Sequence, residues 1–188
     1  MPGRLVILLL LIASAPLAGC VHAAADRAMT ENHAPTRPEA MRALDSWIGV
    51  WKGSGWVIRE DGTRAQFTRV ERIERKVAGT VLLLEGEGVT ESNTNEAAIA
   101  NQGLVMIHYD DGTRTYRWNG HDASRGATEA ELKLIEGGVE WTVRNQDRTA
   151  AIRFTIRLNG PRWHEVGEVT KDGKAWKTFM EANLQRQE

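Results

Sequence analysis

Glutamates that recur at short spacing along predicted strands are the residues whose type and spacing best suit catalysis. Glu85 and Glu87 are two residues apart, and Glu165 and Glu168 lie close together later in the chain. A pair of nearby carboxylates can act as general acid and general base. Glutamates on strand surfaces are usually solvated, however, and no serine of the domain stands in a nucleophile motif with an evident His–Asp partner. We therefore expect no catalytic residue and no enzyme activity.

The histidines of the domain are the residues that would bind a metal ion. His108 and His121 fall in predicted strands without a cysteine, histidine or carboxylate at metal-ligand spacing beside them. We expect no metal site and interpret both histidines as polar residues of the strand surface or of an interior cavity.

The only cysteine, Cys20, follows an apolar leader. Arg4 precedes the apolar run 5–12, which is too short to span a bilayer and is typical of a signal peptide. The sequence 17–20, Leu-Ala-Gly-Cys, resembles the lipobox of bacterial lipoproteins. The resemblance implies that residues 1–19 are a signal peptide, that cleavage occurs before Cys20, and that Cys20 is acylated. Several acyl chains on one residue would anchor the protein stably in a membrane.

Residues 20–37 are expected to form a flexible tether, because they lack periodic hydrophobicity and contain the helix-disfavouring pair Ala34-Pro35. A single domain would then occupy residues 38–188. In lipoproteins, an aspartate after the acylated cysteine often directs retention in the inner membrane. Because Val21 stands there instead, the resemblance implies an anchor in the outer membrane, with the domain facing the periplasm.

The charge of the chain argues against a nucleic-acid partner. The 24 Lys and Arg nearly balance the 25 Asp and Glu, for a formal net charge of −1. The chain has no basic run or patch of the kind that binds phosphate backbones.

The organisation of the domain is that of an all-β protein. A short amphipathic helix is predicted over 38–48, and about ten strand-like runs follow, with turn signals such as Asp61-Gly62 and Asp172-Gly173. One long loop is predicted over 91–102, and we expect a protein partner to bind through this loop. Helices do not alternate with the strands, so we predict a single closed or nearly closed antiparallel up-and-down barrel with the helix capping one end.

The first strand carries the pattern Gly49-x-Trp51-x-Gly53-x-Gly55, which places Trp51 and its glycines on one face. Glycines inside a strand allow the bends that close a small barrel. The second strand, predicted over 66–77, has no clean apolar face. Its apolar residues Phe67 and Ile73 lie on the same face as the charged residues Arg69, Glu71 and Arg75. Either a bulge changes its register or the barrel interior is partly polar.

The Gly-x-Trp-x-Gly-x-Gly pattern, the segment Leu82-Leu-Leu-Glu-Gly-Glu-Gly88 and the closing Asp172-Gly-Lys-Ala-Trp176 resemble bacterial lipocalin-like domains of unknown function. More distantly they resemble the calycin superfamily, which includes lipocalins, fatty-acid-binding proteins and haem-binding nitrobindins. By this resemblance Trp51 closes one end of the barrel, with Arg186 or Arg162 stacked on its indole.

The nitrobindin branch binds haem through a histidine on a late strand. The predicted last strand, 174–184, contains no histidine, and His164 lies one strand earlier. We therefore expect no cofactor, haem included.

A small barrel has room for one small apolar or amphipathic ligand, and this predicts a lipid-anchored binding module. The alternative is an envelope protein with a structural or protein-binding role, whose barrel is filled by its own tryptophans. The candidate residues of the barrel interior are Trp56, Leu84, Met106, Tyr116, Trp118, Phe154 and Trp163, with Glu85 or His108 as a polar anchor.

Overall fold

Ten antiparallel strands form a closed barrel in the computed structural model, which describes residues 35–91, 97–144 and 150–188. This confirms the predicted fold class. Each strand pairs with its neighbours in sequence, and β1 pairs with β10 to close the barrel. The strands are β1 Gly49–Ile58, β2 Arg64–Lys76, β3 Val81–Glu91, β4 Ala97–Asp110, β5 Thr115–Asp122, β6 Gly126–Ile135, β7 Gly138–Arg144, β8 Ala151–Asn159, β9 Arg162–Thr170 and β10 Lys177–Arg186.

The helix predicted over 38–48 is present in two parts. An α-helix, α1, spans Arg37–Met41 and continues as a 3-10 helix over Arg42–Trp47. Thr36 caps α1, since its backbone N–H and its hydroxyl both donate to the Glu39 carboxylate at 2.8 Å. In the part of the chain that the structure describes, no helix is long and apolar enough to cross a membrane.

The prediction of a loop over 91–102 is wrong at both ends, where the residues belong to strands. The centre of the predicted loop, 92–96, lies outside the described residues. Glu91 ends β3, and residues 97–102 belong to β4. The two strands pair through Val89–Ile99 and Thr90–Ala98, beyond an irregularity after Gly88. The hydrogen-bonding edge that β3 offers therefore outweighs the weak strand preference of the Asn- and Ala-rich sequence.

The mixed pattern of the second strand reflects a partly polar interior. β2 pairs without a register shift with both β1 and β3, so no bulge turns its side chains from one face to the other. Glu71 pairs with Trp51 on one side and with Gly86 on the other. Directly paired residues lie on the same face of a sheet, and Trp51 is fully buried. Glu71 and Arg69 therefore face the interior together with Phe67 and Ile73.

The core is divided between the two ends of the barrel. The larger cluster joins Met41, Leu44 and Trp47 of the helical segment to Trp51 and Leu184, at the end where β1 begins. We call this the closed end. The smaller cluster lies near the opposite, open end, and consists of Val57, Phe67, Phe154, Phe179, Met180 and Ala182. The helical segment thus covers one end, and partly buried residues such as Val57, Phe154 and Phe179 lie toward the other.

Candidate functional site

Solvent exposure rises along the interior from the closed end toward the open end. Strand β8 shows this most directly, because Ile156, Phe154 and Ile152 point to the same face and follow one another toward the open end. Ile156 is 1% exposed, Phe154 is partly buried, and Ile152 is 38% exposed. The closed half of the barrel is therefore packed, whereas solvent reaches the open half.

Tryptophans fill the closed end. The rings of Trp47 and Trp51 lie 5.1 Å and 5.5 Å from the ring of Trp163, in tilted and edge-on arrangements. The indole Nε1 of Trp51 donates to the Trp47 carbonyl at 2.8 Å. The Arg186 guanidinium lies 4.5 Å from the centre of the Trp51 ring and donates to the Ser46 carbonyl. Of the two arginines that the sequence offered as partners of Trp51, Arg186 therefore occupies the position.

Three aromatic rings form a column along the interior wall, across strands β5, β7 and β8. The Trp118 and Trp141 rings are stacked at 4.1 Å with an interplanar angle of 17°, and Phe154 stacks on Trp141 at 5.1 Å. Phe179 meets Phe154 edge-on at 5.9 Å. On the intervening strand β6, Trp118 pairs with the small Ala130, whereas Trp141 pairs with Leu132. Trp141 is 5% exposed and belongs to the larger core cluster, so within the column it is Trp118 and Phe154 that keep exposed apolar surface.

Arg69, Glu71 and Glu165 form an ion triad inside the barrel. Arg69 Nε donates to Glu71 Oε1 at 2.5 Å, and Arg69 Nη1 donates to Glu165 Oε2 at 2.8 Å. The two carboxylate side chains are 5% and 2% exposed, and the arginine side chain is 17% exposed. The guanidinium thus joins β2 to β9 across the lumen, and the Arg69 side chain is the most exposed of the three.

The surroundings of the triad raise the pKa of both Glu165 and Arg69, for different reasons. Burial raises the pKa of the Glu165 carboxyl above its ordinary value, and the Arg69 guanidinium opposes this shift only in part. Burial by itself would lower the pKa of Arg69, but the two carboxylates raise it overall, so the guanidinium stays charged. The indole N–H of Trp163 also favours ionised Glu165, although Trp163 Nε1 lacks a partner of good hydrogen-bond geometry.

Two glycines on the inner face leave room for the side chains of Glu71 and Trp118. A Cβ atom at Gly86 would lie 2.7 Å from both carboxylate oxygens of Glu71, and one at Gly120 would lie 3.0 Å from Trp118 Nε1. The separation at Gly86 is shorter than Cβ atoms allow, and the one at Gly120 is tighter than most Cβ contacts. The glycines in the interior therefore serve the positioning of Glu71 and Trp118.

The structure brings five of the predicted interior residues to the inner face. Trp163 and Leu84 are buried in the closed half. Tyr116 donates from its hydroxyl to the Ala40 carbonyl at 2.6 Å and so ties β5 to α1. Trp118 and Phe154 belong to the aromatic column and are partly exposed in the open half.

The other four predicted interior residues, Trp56, Glu85, Met106 and His108, lie on the outer face, and their assignment to the lumen is corrected. Each alternates with an inward-facing neighbour, as Glu85 does with Leu84. Trp56 Nε1 donates to Glu181 Oε2 at 3.3 Å on the outside of the sheet. Met106 is 39% exposed. An apolar or aromatic residue type does not reveal which face of a two-sided strand it occupies.

The acid–base pairs suggested by sequence spacing are separated by the fold. Glu85 and Glu87 face outward, and Glu168 pairs on the outer face with Arg153 at 2.7 Å. Glu165 alone among them faces inward, where it meets Arg69 and Glu71 instead. Sequence reasoning did not assign this triad, although the charged residues in the mixed pattern of β2 were its signal.

The remaining histidine candidate also lies outside the lumen. His164 contacts Glu181 at 3.0 Å on the outer face. Among the described residues, no group of three or more His, Cys, Asp and Glu side chains is arranged to hold a metal ion. Cys20 lies outside the described residues.

Comparisons with solved structures agree on the barrel fold. The chain is similar to the crystal structure of Rv2717c from M. tuberculosis, with a TM-score of 0.58 and 12% identity over 79% of this chain and 98% of that one. It is also similar to the S-type phycobiliprotein lyase CPES from Guillardia theta, with a TM-score of 0.55 and 12% identity over 79% of this chain and 93% of that one. At this identity the likeness shows a lipocalin- or calycin-like fold and nothing finer. No protein-family model and no curated protein matches the chain.

Proposed function

We propose that this protein is a lipid-anchored binding module of the cell envelope, which holds one small apolar or amphipathic ligand in the open half of its barrel. The observation that carries the proposal is the contrast between the two halves of the lumen. The closed half is filled by Trp47, Trp51 and Trp163, whereas inward-facing Phe154 and Arg69 keep exposed surface in the open half.

The lining of the open half suits such a ligand. Binding pockets are mostly apolar and contain a few polar groups that fix the orientation of the ligand. Here the aromatic column and the open-end cluster supply apolar surface, and the triad supplies the polar groups. A buried ion group is weak support for stability, because its desolvation offsets much of its attraction. The presence of this ion triad beside accessible apolar surface therefore favours a role in binding.

We propose binding without catalysis. Two inward carboxylates, one with a raised pKa, are also found in acid–base sites. Here each carboxylate contacts the same guanidinium through one oxygen, and structural ion-pair networks of this kind also perturb pKa values. A bound molecule should therefore be recovered chemically unchanged after prolonged incubation, which mass spectrometry can check.

The ligand itself is testable on protein purified from its host without detergent. Native mass spectrometry should show a co-purifying small molecule. Phe154→Ala, which removes a ring from the aromatic column, should lower the bound fraction severalfold. Leu104→Ala is the matched control, because Leu104 is on the outer face of β4 and 44% exposed. Repeated absence of any bound molecule, together with no binding of added apolar probes, would contradict the proposal.

A further inference from the structure

The charge of the triad restricts the kind of polar group that the lumen can accept. Arg69 contributes one positive charge, and its raised pKa keeps it charged. Glu71 and Glu165 contribute two negative charges when both are ionised, or one when either is protonated. The triad therefore carries a formal charge of −1 or 0, and with at least one carboxylate ionised it is never positive.

The rim of the lumen does not change this balance. Asp122 of β5 pairs with Gly103, and Lys177 of β10 pairs with Val169, so both occupy inward-facing positions near the open end. Their charges are opposite. The arginines that face inward at the closed end are engaged there, Arg75 with Asp45 and Arg186 with Trp51. Among the described residues, the triad therefore sets the sign of the charge at the inner end of the open half, where Glu71 pairs with Trp51 and Glu165 pairs with Ile156.

The hydrogen bonds of Arg69 lead to the same conclusion. Two of its nitrogens already donate to carboxylates inside the barrel. An incoming carboxylate could bind only the N–H groups of Arg69 that remain, and it would then lie close to the negative charges of Glu71 and Glu165. Like charges at such distances repel strongly where water is scarce. An ammonium or hydroxyl group would instead find carboxylate oxygens that accept hydrogen bonds.

We propose that the lumen selects amphipathic ligands whose polar group is a hydrogen-bond donor, cationic or neutral, and discriminates against carboxylates. This inference rests on the proposed binding function and names the ligand class of the same site. The aliphatic or aromatic body of the ligand packs on the aromatic column and the open-end cluster, and its donor group points toward Glu71 and Glu165.

The test compares three probes of equal chain length: decylamine, decanol and decanoate. Each is titrated below its micelle concentration at pH 7, and tryptophan fluorescence reports occupancy next to Trp118. Decylamine is expected to bind at least about tenfold more tightly than decanoate, since tenfold corresponds to only about 1.4 kcal/mol. Decanol should fall between them. Equal or tighter binding of decanoate would overturn the charge selection and leave the proposed binding function intact.

Variants of the carboxylates separate selection by the triad from a general preference of the protein. Glu165→Gln should reduce the decylamine-to-decanoate ratio severalfold, and the double variant Glu71→Gln, Glu165→Gln, whose triad charge is +1, should reverse it. Glu168→Gln on the outer face of β9 is the matched control and should leave the ratio unchanged. If the double variant does not fold, the decylamine-to-decanoate ratios of the wild type and of Glu165→Gln test the proposal. Failure of all three probes to bind would reject the proposed function, and the selectivity with it.

Discussion

At the scale of single residues, the most unusual side chain is the carboxyl of Glu165, which is 2% exposed. Its neighbours only partly offset the cost of burying its charge, so its pKa is raised. Arg69 and Glu71 accompany it in the interior, where apolar residues of similar size would often be at least as stable. The triad therefore links stability to pH.

Replacing Glu165 should change that pH dependence. A carboxyl with a raised folded-state pKa contributes stability that is complete below its unfolded pKa and is lost as pH rises through the folded pKa. Glu165→Gln should therefore gain free energy of unfolding relative to wild type over the pH range above the ordinary glutamate pKa, at about 1.4 kcal/mol for each unit of pKa shift. Melting temperatures across this range measure the effect. Parallel curves for Glu165→Gln and wild type would refute the assignment, and Glu168→Gln on the outer face controls for the loss of one carboxylate from the same strand.

Trp51 is the residue on which the closed end depends most. It is 0% exposed and bonds to Trp47, and Arg186 covers its ring. Trp51→Ala should lower the free energy of unfolding by about 3–5 kcal/mol, as for other buried aromatic side chains. Urea denaturation measures this loss. Trp56→Ala, on the outer face of the same strand, should cost clearly less, and equal losses in the two variants would show that Trp51 is not a buried plug.

At the scale of elements, closure depends on how closely β1 approaches β10. A Cβ atom at Gly53 would lie 2.0 Å from the Asn183 carbonyl oxygen and 2.7 Å from the Leu184 Cα atom. Such contacts with backbone atoms cannot be relieved by a side-chain rotation. Gly53 and Gly55, whose added Cβ atoms would both meet the backbone of β10, are therefore required by the pairing that closes the barrel.

Gly53→Ala should accordingly weaken the β1–β10 pairing and destabilise the domain by about 1–3 kcal/mol, the usual range for overpacking. Amide hydrogen exchange should accelerate in β1 and β10 before it accelerates in β5 and β6. The neighbouring Ser54→Ala provides the control, because Ser54 points outward. Unchanged exchange in β10 would show that the strands tolerate the added methyl group.

At the scale of the whole molecule, the proposal combines a membrane anchor with a barrel that is packed at one end and accessible at the other. The anchor requires acylation of Cys20. Mass spectrometry of the mature N-terminal peptide from the native host should show a chain that begins at Cys20 and carries fatty acyl groups. Cys20→Ser should abolish the modification, and Ser46→Ala, far from the leader, should not affect it. An unmodified cysteine in the wild-type protein would refute the anchor and leave the lumen proposals standing.

The predictions that succeeded for the fold depended on local patterns. Turn signals such as Asp61-Gly62, the period-two alternation in the later strands and the apolar spacing in 38–48 are each contained within a few residues of the chain. They were sufficient to predict about ten strands, a short helix and a closed antiparallel barrel, which the structure confirms. Local pattern failed at 97–102, where pairing with β3 created a strand from residues with little preference for one.

What the chain alone determined, therefore, is the sequence of elements and their closure into a barrel, since both depend on neighbouring residues. What only the tertiary structure decided is which face of each strand points inward. Trp56, Glu85, Met106 and His108 were as plausible for the lumen as Leu84 or Trp118, until pairing with neighbouring strands assigned their faces. The triad illustrates the physical reason, because Arg69 and Glu165 are 96 residues apart in sequence and meet only across a closed barrel.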